Sequence, residues 1–176
     1  MITKVSLPAQ GMKAALLGGL IAGTADLLYA FGAYGMVGVP PQRILYSIAA
    51  GWLGRAAVTE GGVAVALLGL VSHYFILCVA AWLYVAAAVR IPVLTQRPFV
   101  CGVAFGLCIF AVMNYVVVPL SAATDAGPSG RFLVMGLLAH MLVIGIPIAL
   151  VARHFVKKAS RGVSGGQRQE VAPPPT

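Results

Sequence analysis

Four polar side chains stand inside long apolar stretches of the sequence, namely Asp26, His73, Asn114 and His140. A carboxylate beside a neutral imidazole exchanges protons near neutral pH, so Asp26 next to a histidine would form a proton or solute path. Alternatively, His73 and His140 would serve as the axial ligands of a haem. A third interpretation is a hydrogen-bonded polar core that fixes the helix register and is worth about 1 kcal/mol per contact. The residue types leave all three interpretations open.

Asp26 is the most informative of these residues, because a lone acid inside a membrane span is costly and normally faces protein or water. It is the only Asp, Glu, Lys or Arg within the four apolar stretches. Arg55 follows the first stretch, and it is the best cationic partner for Asp26 if the segment that carries it dips toward the membrane interior. We therefore add Arg55 to the candidate intramembrane polar site.

The elements that position these residues are predicted to be membrane-spanning helices. The chain has 176 residues, of which 60% are hydrophobic and 9% charged, whereas about 25% of the residues of a soluble domain are charged. A soluble fold of this size could not hide so much apolar surface from water. A span needs roughly 20 apolar residues, and four stretches are long enough. We predict spans at about residues 14–36, 62–89, 99–120 and 132–152.

The four polar residues occupy similar depths in these spans. Counted from the outer ends at 1.5 Å per residue, all four lie roughly 9 to 17 Å below the outer surface. A polar group surrounded by hydrocarbon needs a hydrogen-bond partner within the protein. We therefore predict that Asp26, His73 and His140 face the interior of the bundle in one polar layer, with Asn114 nearby.

Lys and Arg residues lie mostly at the ends of the spans and set the predicted orientation. Nine stand on one side and three on the other, and the more positive side faces the cytoplasm. We predict a multi-pass protein of the bacterial inner membrane with both termini in the cytoplasm. The net charge of +8 does not indicate nucleic-acid binding, which clusters basic residues on one face. The cytoplasmic nine are Lys4, Lys13, Arg90, Arg97, Arg153, Lys157, Lys158, Arg161 and Arg168, and the outer three are Arg43, Arg55 and Arg131.

The fold class that follows is an all-α membrane protein, a four-transmembrane-helix bundle. Residues 1–13 are predicted to be a cytoplasmic N-terminus and residues 14–155 the transmembrane domain. Residues 42–58, between spans 1 and 2, are predicted to form one extra short helix, interfacial or re-entrant, because this segment is too short to cross. Residues 156–176 are predicted to be a disordered basic cytoplasmic tail, since they lack an apolar face and end in a proline-rich sequence.

Glycines at four-residue spacing predict close helix packing. The order Gly-x-x-x-Gly and then Gly-Leu-x-x-His occurs twice. From Gly19 to His73 is 54 residues and from Gly102 to His140 is 38, a difference of 16 that nearly equals the short helix. The repetition predicts a tandem helical-hairpin repeat, although glycine is also common in membrane helices without duplication. The predicted helix-packing residues are Gly19, Gly23, Gly69, Gly102, Gly106 and Gly136.

These motifs resemble those of the YagU-like family of uncharacterised bacterial inner-membrane proteins. The resemblance covers the membrane part of the chain and not the tail. It implies the topology and brings no established activity. The elements that carry it are Gly19-Leu20-Ile21-Ala22-Gly23, Pro40-Pro41-x-Arg43, His73, the Gly102 and Gly106 pair, Pro119-Leu120 and Gly136-x-x-x-His140.

Two function classes follow for an integral inner-membrane protein of this kind. One is a small transport or proton-conducting protein that uses the Asp26 and histidine layer; four spans are few for a transporter, so this class would need a dimer. The other is a non-catalytic membrane partner or assembly subunit with a structural polar core. No nucleophile triad, phosphate-binding glycine loop or zinc-ligand spacing is present, so we do not expect an enzyme.

The expected partners are membrane lipid and either a second copy of the chain or another membrane protein, with no nucleic acid. No cofactor is expected, with a haem held by His73 and His140 as the alternative.

Overall fold

The computed structural model describes residues 7–123 and 130–170, with the side chains of residues 10–123 and 130–159. Within these ranges all regular structure is helical. Four helices are long and apolar enough to cross a membrane, and we call them spans 1 to 4: Gln10–Gly35, Val63–Ala88, Pro98–Leu120 and Gly130–Ala159. The predicted all-α architecture with four spans and a shorter helix between spans 1 and 2 is confirmed.

The first half of the chain forms two long helices with the short helix between them. Span 1 belongs to α1 (Leu7–Gly35), the short helix is α2 (Pro41–Leu53), and span 2 is α3 (Val63–Ala88). Helix α2 begins at a proline, as expected for the first turn of a helix. It ends at Leu53, before the predicted residue 58, because Gly54 takes a positive φ of 79° that only glycine adopts at low cost.

In the second half of the chain, both spans contain a π-helical segment. The single-turn helix α4 (Val93–Gln96) precedes span 3. Span 3 consists of α5 (Pro98–Val112), a π-helical segment at Met113–Val117 and α6 (Val118–Leu120). Span 4 consists of α7 (Gly130–Leu138), a π-helical segment at Ala139–Gly145 and α8 (Ile146–Glu170).

The last helix is longer than the sequence suggested. In place of the disordered tail predicted from residue 156, helix α8 continues to Glu170. No proline occurs in the sequence between Pro147 and Pro173, and the Lys and Arg residues of this segment are good helix formers. The predicted tail beyond Glu170 lies outside the described residues.

The short helix α2 packs along span 2. A side chain at Gly69 of span 2 would overlap the backbone of Leu45 in α2, and Trp52 donates a hydrogen bond from its indole to Ser72 Oγ at 2.9 Å. Gly69 is about 9 Å along the helix from Val63, the first residue of α3. Part of helix α2 therefore lies beside the first turns of span 2, and the rest lies outside the end of that span. We call this side of the bundle the α2 end.

Spans 1, 2 and 4 enclose the main core, and span 3 packs on span 4. The core consists largely of alanines that let the helices approach closely, and Ala22, Ala81 and Ala149 are fully buried. Span 3 contributes Cys101 and Phe105 to the edge of this core. Among the four spans, the most extensive backbone contacts join span 1 to span 2, span 1 to span 4, and span 3 to span 4.

The two hairpins pack in the same way, as expected for a tandem repeat. A side chain at Gly23 would meet His73, and one at Gly106 would overlap the backbone of His140. A side chain at Gly19 would overlap Cys78, which is five residues after His73, and one at Gly102 would overlap Gly145, which is five residues after His140. In each hairpin, one glycine of the first span therefore contacts the histidine of the second span, and the other glycine contacts the residue five positions after that histidine.

Candidate functional site

Span 1 and span 2 bring an acid and a histidine together. The Asp26 carboxylate oxygen Oδ2 lies 3.9 Å from His73 Nε2, and the two side chains are 18% and 8% exposed. The same Nε2 lies 3.0 Å from the carbonyl oxygen of Gly23. Because a carbonyl oxygen only accepts, His73 carries a proton on Nε2 and donates it there. Gly23 is suited to this position because a side chain on it would meet His73 and Tyr74.

Span 4 adds a second histidine to the same site. His140 Nδ1 donates a hydrogen bond to the carbonyl oxygen of Gly136 at 2.8 Å, which leaves the lone pair of a neutral ring on Nε2. His140 also contributes to the electrostatic environment of Asp26, although only His73 lies within ion-pair distance of the carboxylate. We call Asp26, His73 and His140 the polar cluster.

Asn114 and His140 play matching roles at the two π-helical segments. Asn114 donates from Nδ2 to the carbonyl oxygen of Phe110 at 2.9 Å, four residues earlier, as His140 donates to Gly136. Each polar side chain lies in a π-helical segment and donates to a carbonyl of the α-helix that precedes it. The ring of Phe110 also packs edge-on against His140 with centroids 5.2 Å apart. Phe110 therefore connects Asn114 to the polar cluster, and Asn114 itself bonds to span 3.

Arg55 lies away from Asp26. It donates from Nε to the carbonyl oxygen of Ala123 at 3.3 Å, and it lines a surface pocket with Arg43 and Thr59 at the α2 end. The charged neighbours of Asp26 are the two histidines. The expectation that Arg55 is the cationic partner of Asp26 is therefore corrected, because the chain turns at Gly54 and carries Arg55 toward the end of span 3.

Two tyrosines of span 1 extend the polar cluster toward the α2 end, and the sequence analysis missed both. Tyr29 donates from its hydroxyl to the carbonyl oxygen of Met135 at 3.2 Å. Tyr34 stacks on Phe132 with ring centroids 5.4 Å apart and ring planes 3° apart, and it interacts electrostatically with Tyr29 and Asp26. The available signal was their spacing of three and eight residues from Asp26, which keeps them on one half of the helix.

The predicted helix-packing glycines differ in what they contact. Gly69 faces the backbone of Leu45 in α2, so it serves the short helix rather than another span. A side chain at Gly136 would meet only the ring of Phe110, at 3.3 Å. The carbonyl of Gly136, rather than its missing side chain, is what connects it to the cluster.

The two histidines keep different ring nitrogens available. His73 donates from Nε2 to the Gly23 carbonyl and keeps its lone pair on Nδ1, whereas His140 donates from Nδ1 to Gly136 and keeps its lone pair on Nε2. Among the described residues, no group of three or more His, Cys, Asp or Glu side chains is arranged to hold a metal ion. The chemistry that the cluster offers from its own residues is proton exchange between a carboxylate and two imidazoles.

No protein-family model, curated protein or solved structure matches this chain. The resemblance to the YagU-like family therefore stays a prediction from its motifs, and any function has to be argued from the polar cluster.

Proposed function

We propose that this chain is a small membrane protein that moves protons, or a solute coupled to protons, by means of the polar cluster of Asp26, His73 and His140. The observation that supports this most strongly is the contact between an acid and a histidine inside the bundle, with Asp26 Oδ2 3.9 Å from His73 Nε2. His140 of the second hairpin adds to the electrostatic environment of Asp26. Ionisable groups in a span are costly to keep without a function.

The ring nitrogens of the cluster define how a proton would pass. Because no direct hydrogen bond joins Asp26 to His140, a protonated Asp26 would pass its proton through an intervening water to Nε2 of His140, which holds the free lone pair, and would become a carboxylate. His140 then carries protons on both nitrogens while Nδ1 keeps its bond to Gly136. His73 holds its Nε2 proton on the Gly23 carbonyl and stabilises the carboxylate of Asp26 electrostatically. The ring of His140 need not rotate during this exchange.

The second candidate function is that of a non-catalytic membrane partner or assembly subunit, and one observation favours it. Every polar atom that is fully buried among the described side chains has a hydrogen-bond partner, as expected for a polar core that only holds helices in register. The two candidates differ in a measurable way, because a structural core contributes to folding and not to flux.

The experiment that tests the proposal is proton flux into liposomes. The purified protein is reconstituted with an internal pH-sensitive dye, and a membrane potential is imposed with potassium and valinomycin. We expect proton uptake with the unmodified protein and its loss in Asp26→Asn, which removes the exchangeable proton while keeping size and polarity. Glu60→Gln is the matched control, because Glu60 is exposed near the α2 end and its change should leave the flux intact.

Abundance and thermal unfolding of both variants are measured in parallel. Lost flux with normal folding supports the proton path. Unchanged flux in Asp26→Asn, or lost flux only together with lost abundance, identifies the cluster as a structural core.

A further inference from the structure

Spans 1 and 4 diverge from each other toward the α2 end. Span 1 closely approaches the backbone of the π-helical segment Ala139–Gly145 and of α8, whereas the nearest backbone neighbours of α7 (Gly130–Leu138) are span 3 and that same π-helical segment. The first turns of span 4 therefore stand off from span 1. Asp26 lies near the level where the two spans begin to separate, since Tyr29, three residues later, reaches Met135 of α7 through its side chain.

Long side chains, and not backbone contacts, bridge the gap above Asp26. Tyr29 reaches across to the Met135 carbonyl with its hydroxyl, and Tyr34 stacks on Phe132. A contact made through two stacked rings holds helices farther apart than a contact between alanines. The guanidinium of Arg131 lies 5.0 Å from the centre of the Phe132 ring, so the mouth of the gap also carries a cation.

The opposite side of the polar cluster is closed by buried apolar residues. Ala22, one turn before Asp26, is fully buried, and Ile144 and Ile148 of span 4 are 2% and 1% exposed. Gly19 packs directly against the backbone of Cys78. An apolar interior without polar partners does not hold water. Water therefore has no polar route from this side to Asp26 through the described residues.

We infer that in this conformation water and protons reach Asp26 from the α2 end, through the gap between span 1 and α7 that Tyr29, Tyr34 and Phe132 line. Flux across the membrane then requires a second conformation in which the opposite side opens. This inference rests on the proposed proton site and assigns that site its access route. The route also defines the class of species that enters. The stacked pair of Tyr34 and Phe132 admits water and a proton, while any larger solute has to separate the two rings first.

Cysteine accessibility tests the route without any transport assay. In a variant whose native cysteines are replaced by alanine, Ala30→Cys places a thiol one turn above Asp26 on the same helix face. The reagent is a membrane-impermeant maleimide, which needs a water-exposed thiolate. Leu28→Cys is the matched control, because Leu28 lies at a similar depth on the opposite face and is 65% exposed toward the surroundings of the bundle.

We expect Ala30→Cys to be labelled from the same side of the membrane as Met36→Cys, which marks the α2 end and is 83% exposed as Met36. Leu28→Cys should stay unlabelled because lipid covers it, and Ala22→Cys should stay unlabelled from both sides. If Ala30→Cys perturbs folding, Ala33→Cys tests the same face one turn farther out. Tyr34→Ala should speed the labelling of Ala30→Cys, and Tyr34→Phe, which keeps the stacked rings, should not.

Three results would overturn the route. The first is that neither Ala30→Cys nor Ala33→Cys is labelled in folded protein, and the second is that Ala30→Cys is labelled from the side opposite to Met36→Cys. The third is that Leu28→Cys is labelled as strongly as Ala30→Cys. These outcomes are independent of flux. Labelling as expected with full flux in Asp26→Asn would leave the route standing and reject the proton-site proposal. If the flux depends on Asp26 but Ala30→Cys is not labelled from the α2 end, the proton site is supported and the access route is rejected.

Discussion

His140 donates its Nδ1 proton to the carbonyl oxygen of Gly136, one turn earlier in span 4, at 2.8 Å. The bond runs from the second residue of the π-helical segment back to a residue of α7, so it ties these two parts of span 4 together. It also fixes which ring nitrogen is free, because the neutral ring keeps its lone pair on Nε2. One hydrogen bond therefore serves both the local backbone of span 4 and the chemistry of the polar cluster.

The paired roles of His140 and Asn114 predict a separation between stability and flux. Both His140→Leu and Asn114→Leu remove the bond to a carbonyl four residues earlier, so each should lower the free energy of unfolding by about 1 kcal/mol. Only His140→Leu should abolish proton flux, because Asn114 donates to Phe110 and does not exchange protons with Asp26. Thermal unfolding in detergent and flux in liposomes measure the two effects. Equal loss of flux in both variants would contradict this division of roles.

The glycine contact between spans 3 and 4 predicts a large cost for a single methyl group. A side chain at Gly106 would overlap the His140 carbonyl, and overpacking of this kind costs typically about 1 to 3 kcal/mol. Gly106→Ala should therefore lower the unfolding temperature markedly. Gly32→Ala is the control, because a side chain there would meet nothing within 4 Å and alanine favours the helix by up to about 1 kcal/mol. Comparable unfolding temperatures for both variants would show that span 3 does not pack on span 4 in this way.

The four spans and the approach of a histidine to Asp26 could be predicted from the sequence, for a physical reason. Span length follows from the thickness of hydrocarbon, and the cost of an unpartnered acid requires polar neighbours within the bundle. Neither argument needs the tertiary structure. The repeated order of glycines and histidines also anticipated that the two hairpins share their contacts.

The parts that the sequence could not supply depend on backbone geometry. The turn at Gly54 carries Arg55 away from Asp26, and a glycine alone does not say which way the chain will turn. The π-helical segments have no sequence signature of their own. The close packing of Gly106 on the backbone of His140, within one of these segments, likewise exists only in the folded bundle. Tyr29 and Tyr34 were missed because aromatic side chains near span ends are usually membrane-interface residues.

The packing around the two histidines predicts that the protein purifies without haem. Axial ligation of one iron needs both rings to face an open space that holds the macrocycle, whereas His73 is 6% exposed and the ring of Phe110 packs edge-on against His140 with centroids 5.2 Å apart. We expect no haem absorption band in purified protein, and no such band after incubation with added haem. The controls are His73→Ala and His140→Ala. A band in the unmodified protein that either variant removes would replace the proton path with a haem site.

The charge distribution predicts the orientation, and the position of α2 makes the test sharper. Nine basic residues on one side against three on the other place the α2 end outside the cytoplasm. Reporter fusions after residue 176 and in the connection between residues 121 and 131 should therefore give opposite results, with the C-terminal reporter active in the cytoplasm.

Because α2 packs along span 2 without crossing, Ser47→Cys should be labelled only from outside. Labelling of this cysteine from the cytoplasm, with the C-terminal reporter active outside, would invert the orientation while leaving the polar cluster intact. Proton access would then run from the cytoplasm, so the topology decides the direction in which the cluster is loaded.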